Sequence, residues 1–358
     1  MSPGKVSSEN GQWLARRYEY GQEHPEWEEF YFKNKASVPT LVGNVKSLRE
    51  IMLNVKMGGQ NKAVPITKGL VVNDQVISSE DGVEIKLRIY TPFPPSEGLP
   101  IMIYFHGGGW ALGDLEGEDR TCRGICVSTR MVVVGVNYRL YESILSICLL
   151  LGTTLIQESA PEHPYPAALN DAWATLEWVL ANQATHKANV NKILVGGTSA
   201  GANLAAVICH QAKARGVTIR GQLLRIPIVC QSTPHYRDLG LESMNYYHDT
   251  PILCRQSMVQ FLEWYSPPDA ADMSVSPLLA MDFTDLPPAY IQVCGRDPLR
   301  DEGLAYADKL EEYGVPVRVN VYQGLPHAFW IFPEISTSGQ AAQELLDGID
   351  WLLKEISD

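Results

Sequence analysis

Apolar positions along this chain follow two different periods. From residue 69, "GLVVNDQVISS" and "VEIKLRIYTP" alternate apolar and polar residues, are rich in β-branched side chains, and are separated by "EDG". That pattern predicts an antiparallel hairpin. Further along come short, nearly unbroken apolar runs that end in glycine or polar residues: "PIMIYFHGGGW", "MVVVGVNYRL", "KILVGGTSAG", "QLLRIPIV", "AYIQVCGRDP" and "VRVNVYQGLPH". Runs of this kind suit strands covered on both faces. Helical spacing appears between them. In "PAALNDAWATLEWVLANQ" one stripe carries Ala168, Ala172, Leu176 and Val179. In "AAQELLDGIDWLLKEI" the repeating positions are Leu345, Leu346, Ile349, Leu353 and Ile356. Strands alternating with helices predict an α/β fold, with a mostly parallel sheet flanked by helices on both faces.

Two regions break the alternation. Residues 1–60 are polar and aromatic, with Trp13, Trp27 and Phe30 among them, and read as helices with short breaks. Residues 231–275 hold no strong strand and read as a helical insertion after the sixth core strand. Both are expected either to pack simply on the core or to cover a pocket. The expected division is 1–60, a core part 61–230, an insertion 231–275 and a second core part 276–358.

Candidate chemistry sits at the ends of the apolar runs. Gly197-Thr198-Ser199-Ala200-Gly201 is a G-x-S-x-G between a strand and the helical "ANLAAVICHQAKA". A serine there sits on a tight strand-to-helix turn with its hydroxyl held out of the sheet. His106-Gly107-Gly108-Gly109-Trp110 follows another strand. Three glycines let backbone N–H groups approach a reacting oxyanion. The loop lacks both a P-loop lysine and a GxGxxG frame, so a phosphate cradle does not fit. A nucleophilic serine needs a base and an orienting acid. His327 follows the last strand on a Gly/Pro loop. Asp297 ends the strand "AYIQVCG", whereas Asp301 and Glu302 fall inside a helix start, where a carboxylate suits the helix dipole. Asp297 is therefore the expected acid, and Asp301 takes a structural role. The chain order Ser199, Asp297, His327 is that of α/β-hydrolases.

Composition narrows the partners. The net charge of −12 disfavours nucleic acid and anionic membrane surfaces. The seven cysteines are scattered with no CxxC pair. Cys122 and Cys126 share a helix face but lack the further ligands a metal needs. The first twenty residues contain no apolar signal region, so reduced thiols and a cytoplasmic location are expected.

The motifs "HGGGW", "VNYRL…APEHPYPAAL", "GGTSAG", "DPLRDEG" and "GLPHAF" resemble those of the hormone-sensitive-lipase-like (arylacetamide-deacetylase-like) family of α/β-hydrolases. The resemblance spans roughly residues 100–330 and implies an α/β-hydrolase fold with a helical cap built from 1–60 and 231–275. It also implies a serine carboxylesterase with no cofactor and no metal, acting on short- to medium-chain esters of small molecules. Ser199 would be the nucleophile, His327 the general base and acid, and Asp297 its partner. The N–H groups of Gly107, Gly108 and Ala200 would form the oxyanion hole. Trp110, Phe329 and Trp330 are candidates for lining the pocket. Two alternatives stay open, a dedicated deacetylase of a pathway metabolite and a non-catalytic small-molecule-binding homologue. A homodimer is left open as the assembly.

One stretch fits none of this. Removing residues 141–159 joins Leu140 to Ala160 and restores "VNYRLAPEHPYPAAL". The apolar part of this insert is shorter than the ~20 residues that a bilayer-spanning helix needs, so no membrane span is expected. An exposed "ILSICLLL" would be an aggregation hazard. The expectation is translated intron sequence or a gene-model error, placed beside the active site.

Overall fold

The computed structural model describes residues 11–60, 66–140, 163–182 and 187–355. The expected insert 141–159 lies outside the described residues. The sheet has eight strands: β1 (Leu70–Ser78), β2 (Glu84–Pro92), β3 (Leu99–Phe105), β4 (Val132–Asn137), β5 (Ala188–Thr198), β6 (Gly221–Arg225), β7 (Ala289–Cys294) and β8 (Val317–Tyr322). Their order is β1-β2-β4-β3-β5-β6-β7-β8. β1 pairs antiparallel with β2, as the alternating pattern predicts, and β2 antiparallel with β4. The remaining pairs are parallel. The reason is visible in burial. β3, β4, β6 and β7 are buried along nearly their whole length, whereas β1 leaves most of its residues exposed at the sheet edge.

Helices cover both faces. They are α1 (Arg17–Tyr20), α2 (Pro25–Asn34), α3 (Val45–Gln60), α4 (Leu115–Thr129), α5 (Ala167–Ala181), α6 (Ala200–Ala214), α7 (Thr233–Asp238), α8 (Ser243–Tyr246), α9 (Arg255–Tyr265), α10 (Arg300–Glu312) and α11 (Ser336–Glu355). The stripe Ala168, Ala172, Leu176 and Val179 is buried in α5. In α11, Leu345 and Ile349 are buried as expected, but the next position inward is Leu352 rather than Leu353. A helix turns 3.6 residues per turn, so the inward face drifts by a residue over three turns. α6 is buried on every side and lies against β3, β5 and β6. It is therefore a rigid post for the turn at its N-terminus.

The N-terminal segment crosses the end of the sheet where β7 and β8 finish. Gly324 N–H donates to Tyr20 O (2.9 Å), and Arg296 pairs with Glu28 (2.7 Å). A side chain at Gly295 would meet Tyr20 O, and one at Gly324 would meet Gln22 O. Both loops therefore need glycine where the segment passes over them.

Candidate active site

Ser199 sits between β5 and α6 with φ 55° and ψ −114°. Few L-residues adopt this backbone, which costs about 1–3 kcal/mol. The fold holds it there, because Ser199 N–H donates to Arg225 O (2.8 Å) and Ser199 O accepts from Asn203 N–H (3.0 Å). The small neighbours are required by contact. A Cβ on Gly197 would lie 2.6 Å from Phe105 O, and one on Gly201 would meet Phe105 O and His106 O. Thr198 behind the turn shares a hydrogen bond with Tyr104 (Oγ1 to Oη 2.9 Å).

β7 and β8 bring the acid and the base together. His327 Nδ1 lies 2.7 Å from Asp297 Oδ2. The other carboxylate oxygen, Oδ1, accepts the Leu299 N–H (2.9 Å). A carboxylate acceptor at Nδ1 selects the tautomer that carries its proton there and leaves the Nε2 lone pair as the basic site. Ser199, Asp297 and His327 are buried, at 7%, 1% and 5% exposure. Among the described residues the Ser199 hydroxyl has no hydrogen-bond partner. Nucleophile–base contacts are often long in the absence of substrate.

The glycine loop follows β3. His106 Nδ1 donates to Gly107 O (2.8 Å), and its ring stacks on Tyr138 (4.2 Å, 11°). Tyr138 Oη in turn donates to His106 O (2.8 Å). Burial pushes the His106 imidazole down to about 4, so the ring is neutral. Gly108 and Gly109 have positive φ, 122° and 59°, and a Cβ on Gly109 would run into the Phe261 ring. Burial raises the pKa of the Glu118 carboxyl, while the charge of Arg225 favours its anion. The N–H groups of Gly108, Gly109 and Ala200 have no partner among the described residues.

The aromatic candidates sit deeper than expected. Trp110 is 1% exposed and stacks on Tyr265 (4.2 Å, 6°), and Phe329 is wholly buried against Tyr322 and Trp330. Both are packed in the protein interior. Trp330 is half-buried, with the Arg225 guanidinium 4.1 Å from its ring centre.

A family model described as the alpha/beta hydrolase fold matches residues 102–141 and 158–331. The chain belongs to that family. It falls in the hormone-sensitive-lipase-like, carboxylesterase branch. The match passes over residues 142–157, inside the stretch read as an insert. Esterase LipI of Mycobacterium tuberculosis (strain ATCC 25618 / H37Rv) is 38% identical over 74% of this chain and 77% of its own length. Versiconal hemiacetal acetate esterase of Dothistroma septosporum is 28% identical over 94% of this chain and 96% of its own. The solved esterase of Pyrobaculum calidifontis superposes with a TM-score of 0.77 at 32% identity, covering 92% of this chain and 98% of that one. Among the described residues no group of three or more metal-ligating side chains converges, and no helix is long and apolar enough to cross a membrane.

Proposed function

We propose that this α/β-hydrolase cleaves short- to medium-chain esters of small molecules through an acyl-enzyme on Ser199. The chain is a carboxylic ester hydrolase, in keeping with its relatives. The observations that carry the residue assignment are the buried His327–Asp297 pair and a buried serine held in a strained strand-to-helix turn. Ser199 Oγ attacks the ester carbonyl while His327 Nε2 takes its proton. The C–O bond to the alcohol breaks, and His327 returns the proton to the leaving oxygen. Water then attacks the acyl-enzyme with His327 again as base, which frees the acid and restores Ser199. Asp297 holds the imidazole in its tautomer and stabilises the imidazolium. In this reading the N–H groups of Gly108, Gly109 and Ala200 bind the oxyanion, with Gly109 in the place first expected for Gly107, each worth roughly 3 kcal/mol of transition-state stabilisation in comparable sites.

The same reading has residues 1–60 and 231–275 as a cap over the sheet end and the protein in the cytoplasm. The assembly, monomer or homodimer, is to be read by sedimentation. A narrower substrate, one acetylated metabolite, is supported by the likeness to an acetate esterase over nearly the whole chain. A non-catalytic binding role is disfavoured by the His327–Asp297 pairing, which a pure binder has no need to keep. Turnover of p-nitrophenyl acetate and butyrate, lost in Ser199→Ala, tests the assignment. Retained turnover in that variant would overturn it.

A further inference from the structure

We infer that Arg225, the last residue of β6, is a positioning residue that sets Ser199 against His327 through its hold on the turn of the one and the loop of the other. This rests on the hydrolase reading above. β6 lies among the strands that carry the site. β5 on one side leads to Ser199, and β7 and β8 on the other lead to Asp297 and His327. Every residue of β6 is buried, a setting that suits apolar side chains. Arg225 is charged there and only 3% exposed. A buried charge is costly unless the fold answers it. Its Nε donates to Gln292 Oε1 (2.8 Å), and Gln292 Nε2 donates onward to Tyr322 Oη (2.6 Å) and to Ala341 O (3.0 Å) in α11. On the other side Thr198 is its register partner, and Thr198 shares a hydrogen bond with Tyr104 (2.9 Å). Tyr104, Thr198, Arg225, Gln292 and Tyr322 thus form a polar row across β3, β5, β6, β7 and β8. The glycine loop, the nucleophile, the acid and the base all leave the sheet from strands of this row. Burial opposes the Arg225 charge, but Tyr104 and Glu118 favour it and hold the guanidinium above its ordinary value.

Two contacts tie Arg225 to the two moving partners of the reaction. Its backbone oxygen accepts the Ser199 N–H (2.8 Å), which pins the strained turn. Its guanidinium carbon lies 4.1 Å from the centre of the Trp330 ring. Trp330 stands three residues after His327, in the single 3-10 turn Phe329–Ile331 that ends the histidine loop. A planar guanidinium stacks on an aromatic face and is fixed in orientation by its hydrogen bonds, here the one to Gln292. The first contact is to the main chain of the serine and the second to a neighbour of the histidine. The effect therefore falls on the separation of Ser199 Oγ from His327 Nε2, and not on substrate binding.

The test compares the unchanged protein with Arg225→Met, Trp330→Leu, Trp330→Phe and the double variant of Arg225→Met with Trp330→Leu, all on p-nitrophenyl butyrate. Arg225→Met is expected to lower kcat by at least about tenfold, toward the roughly 10²-fold that a misplacement of about 1 Å can cost, with KM changed less than about threefold. Trp330→Leu should lower kcat in the same way, and Trp330→Phe, which keeps an aromatic face, should restore most of it. The double variant should fall no lower than Arg225→Met, because both changes break one contact. Losses that multiply in the double variant would make Trp330 act independently of Arg225 and overturn the proposal. So would a loss carried by KM, or a smaller fall in kcat. Should Arg225→Met fail to fold, the two Trp330 variants decide, and equal kcat in Trp330→Leu and Trp330→Phe overturns it. A second readout needs no turnover. Crystal structures of the unchanged protein and of Arg225→Met, or of Trp330→Leu in its place, should show the Ser199 Oγ to His327 Nε2 distance widened by about 0.5 Å or more. If no ester is hydrolysed but the distance widens, the hydrolase reading fails and the positioning role stands. If the distance is unchanged, the positioning role fails.

Discussion

His327 Nδ1 and Asp297 Oδ2 face each other at 2.7 Å across two loops that are thirty residues apart in the chain. The bond decides which nitrogen of the ring can act as a base. Asp297→Asn keeps the shape but can present its amide N–H to Nδ1, which favours the other tautomer and removes the lone pair from Nε2. A loss of about 10³–10⁴-fold in kcat is expected, with a smaller change in KM, read by steady-state kinetics on p-nitrophenyl butyrate. A loss below tenfold would mean that Asp297 does not orient the base.

The glycines of the "HGGG" loop should differ in their tolerance. Gly109→Ala places a methyl group into the Phe261 ring at φ 59°, whereas the Cβ of Gly107→Ala would sit 3.1 Å from Thr198 O with no positive φ to resist it. Gly109→Ala should lower kcat/KM by about 100-fold or more, the scale of one lost oxyanion donor. Gly107→Ala should cost less than a tenth of that. The reverse ranking would return Gly107 to the oxyanion hole.

Acid should destabilise the fold before the carboxylates titrate. Burial depresses the pKa values of both His106 and His210 to about 4, with Lys213 also opposing a charge on His210. The unfolded chain binds these protons near pH 6.5, so between about pH 6.5 and 4 it holds more protons than the native state. Stability therefore rises with pH across that window and is fully present above it. The depression is worth roughly 3 kcal/mol per histidine at the low end of the window. The urea midpoint should fall steadily from pH 7 to pH 4, and His210→Leu should remove about half of that slope. A flat midpoint would show that neither ring is held neutral.

The flanks of the insert are joined by a bridge. Arg139, just before it, donates its backbone N–H to Asp171 Oδ2 (2.7 Å) and its Nη2 to Asp171 Oδ1 (2.7 Å), and Asp171 in α5 is wholly buried. Rejoining Leu140 to Ala160 should therefore leave this bridge intact. A chain lacking 141–159 is expected to be more soluble and more active than the full one, measured by soluble yield and by kcat/KM on p-nitrophenyl butyrate. Equal activity and equal Tm would count against the reading of the insert as an intruder. A mature transcript that retains these codons would sink the intron explanation.

Much of this architecture could be read from the chain alone. All eight strands announce themselves by alternation or by an apolar run, because strand burial follows position in the sheet. Ser199, Asp297 and His327 were legible because each stands where a strand ends. What was not legible depends on partners far away in sequence. Asp301 and Glu302 look like ordinary helix-start carboxylates, yet they bond amides 58 to 73 residues distant. Trp110 looks like a pocket residue on a loop, but Tyr265 covers its face. Periodicity tells which side of an element faces inward. It does not tell what waits there.

The passage of residues 20–28 over the loops of Asp297 and His327 bears on the order of assembly. Tyr20 and Gly324, which share a hydrogen bond, lie at opposite ends of the chain, as do Glu28 and Arg296. The turn around Ser199 can form once β3, β5, β6 and α6 have met. The seat of the base must wait until the first helices and the last strand are both present, because contacts between distant segments close late. A growing polypeptide would therefore carry its nucleophile well before it could use it, and catalytic competence would mark the completion of the fold.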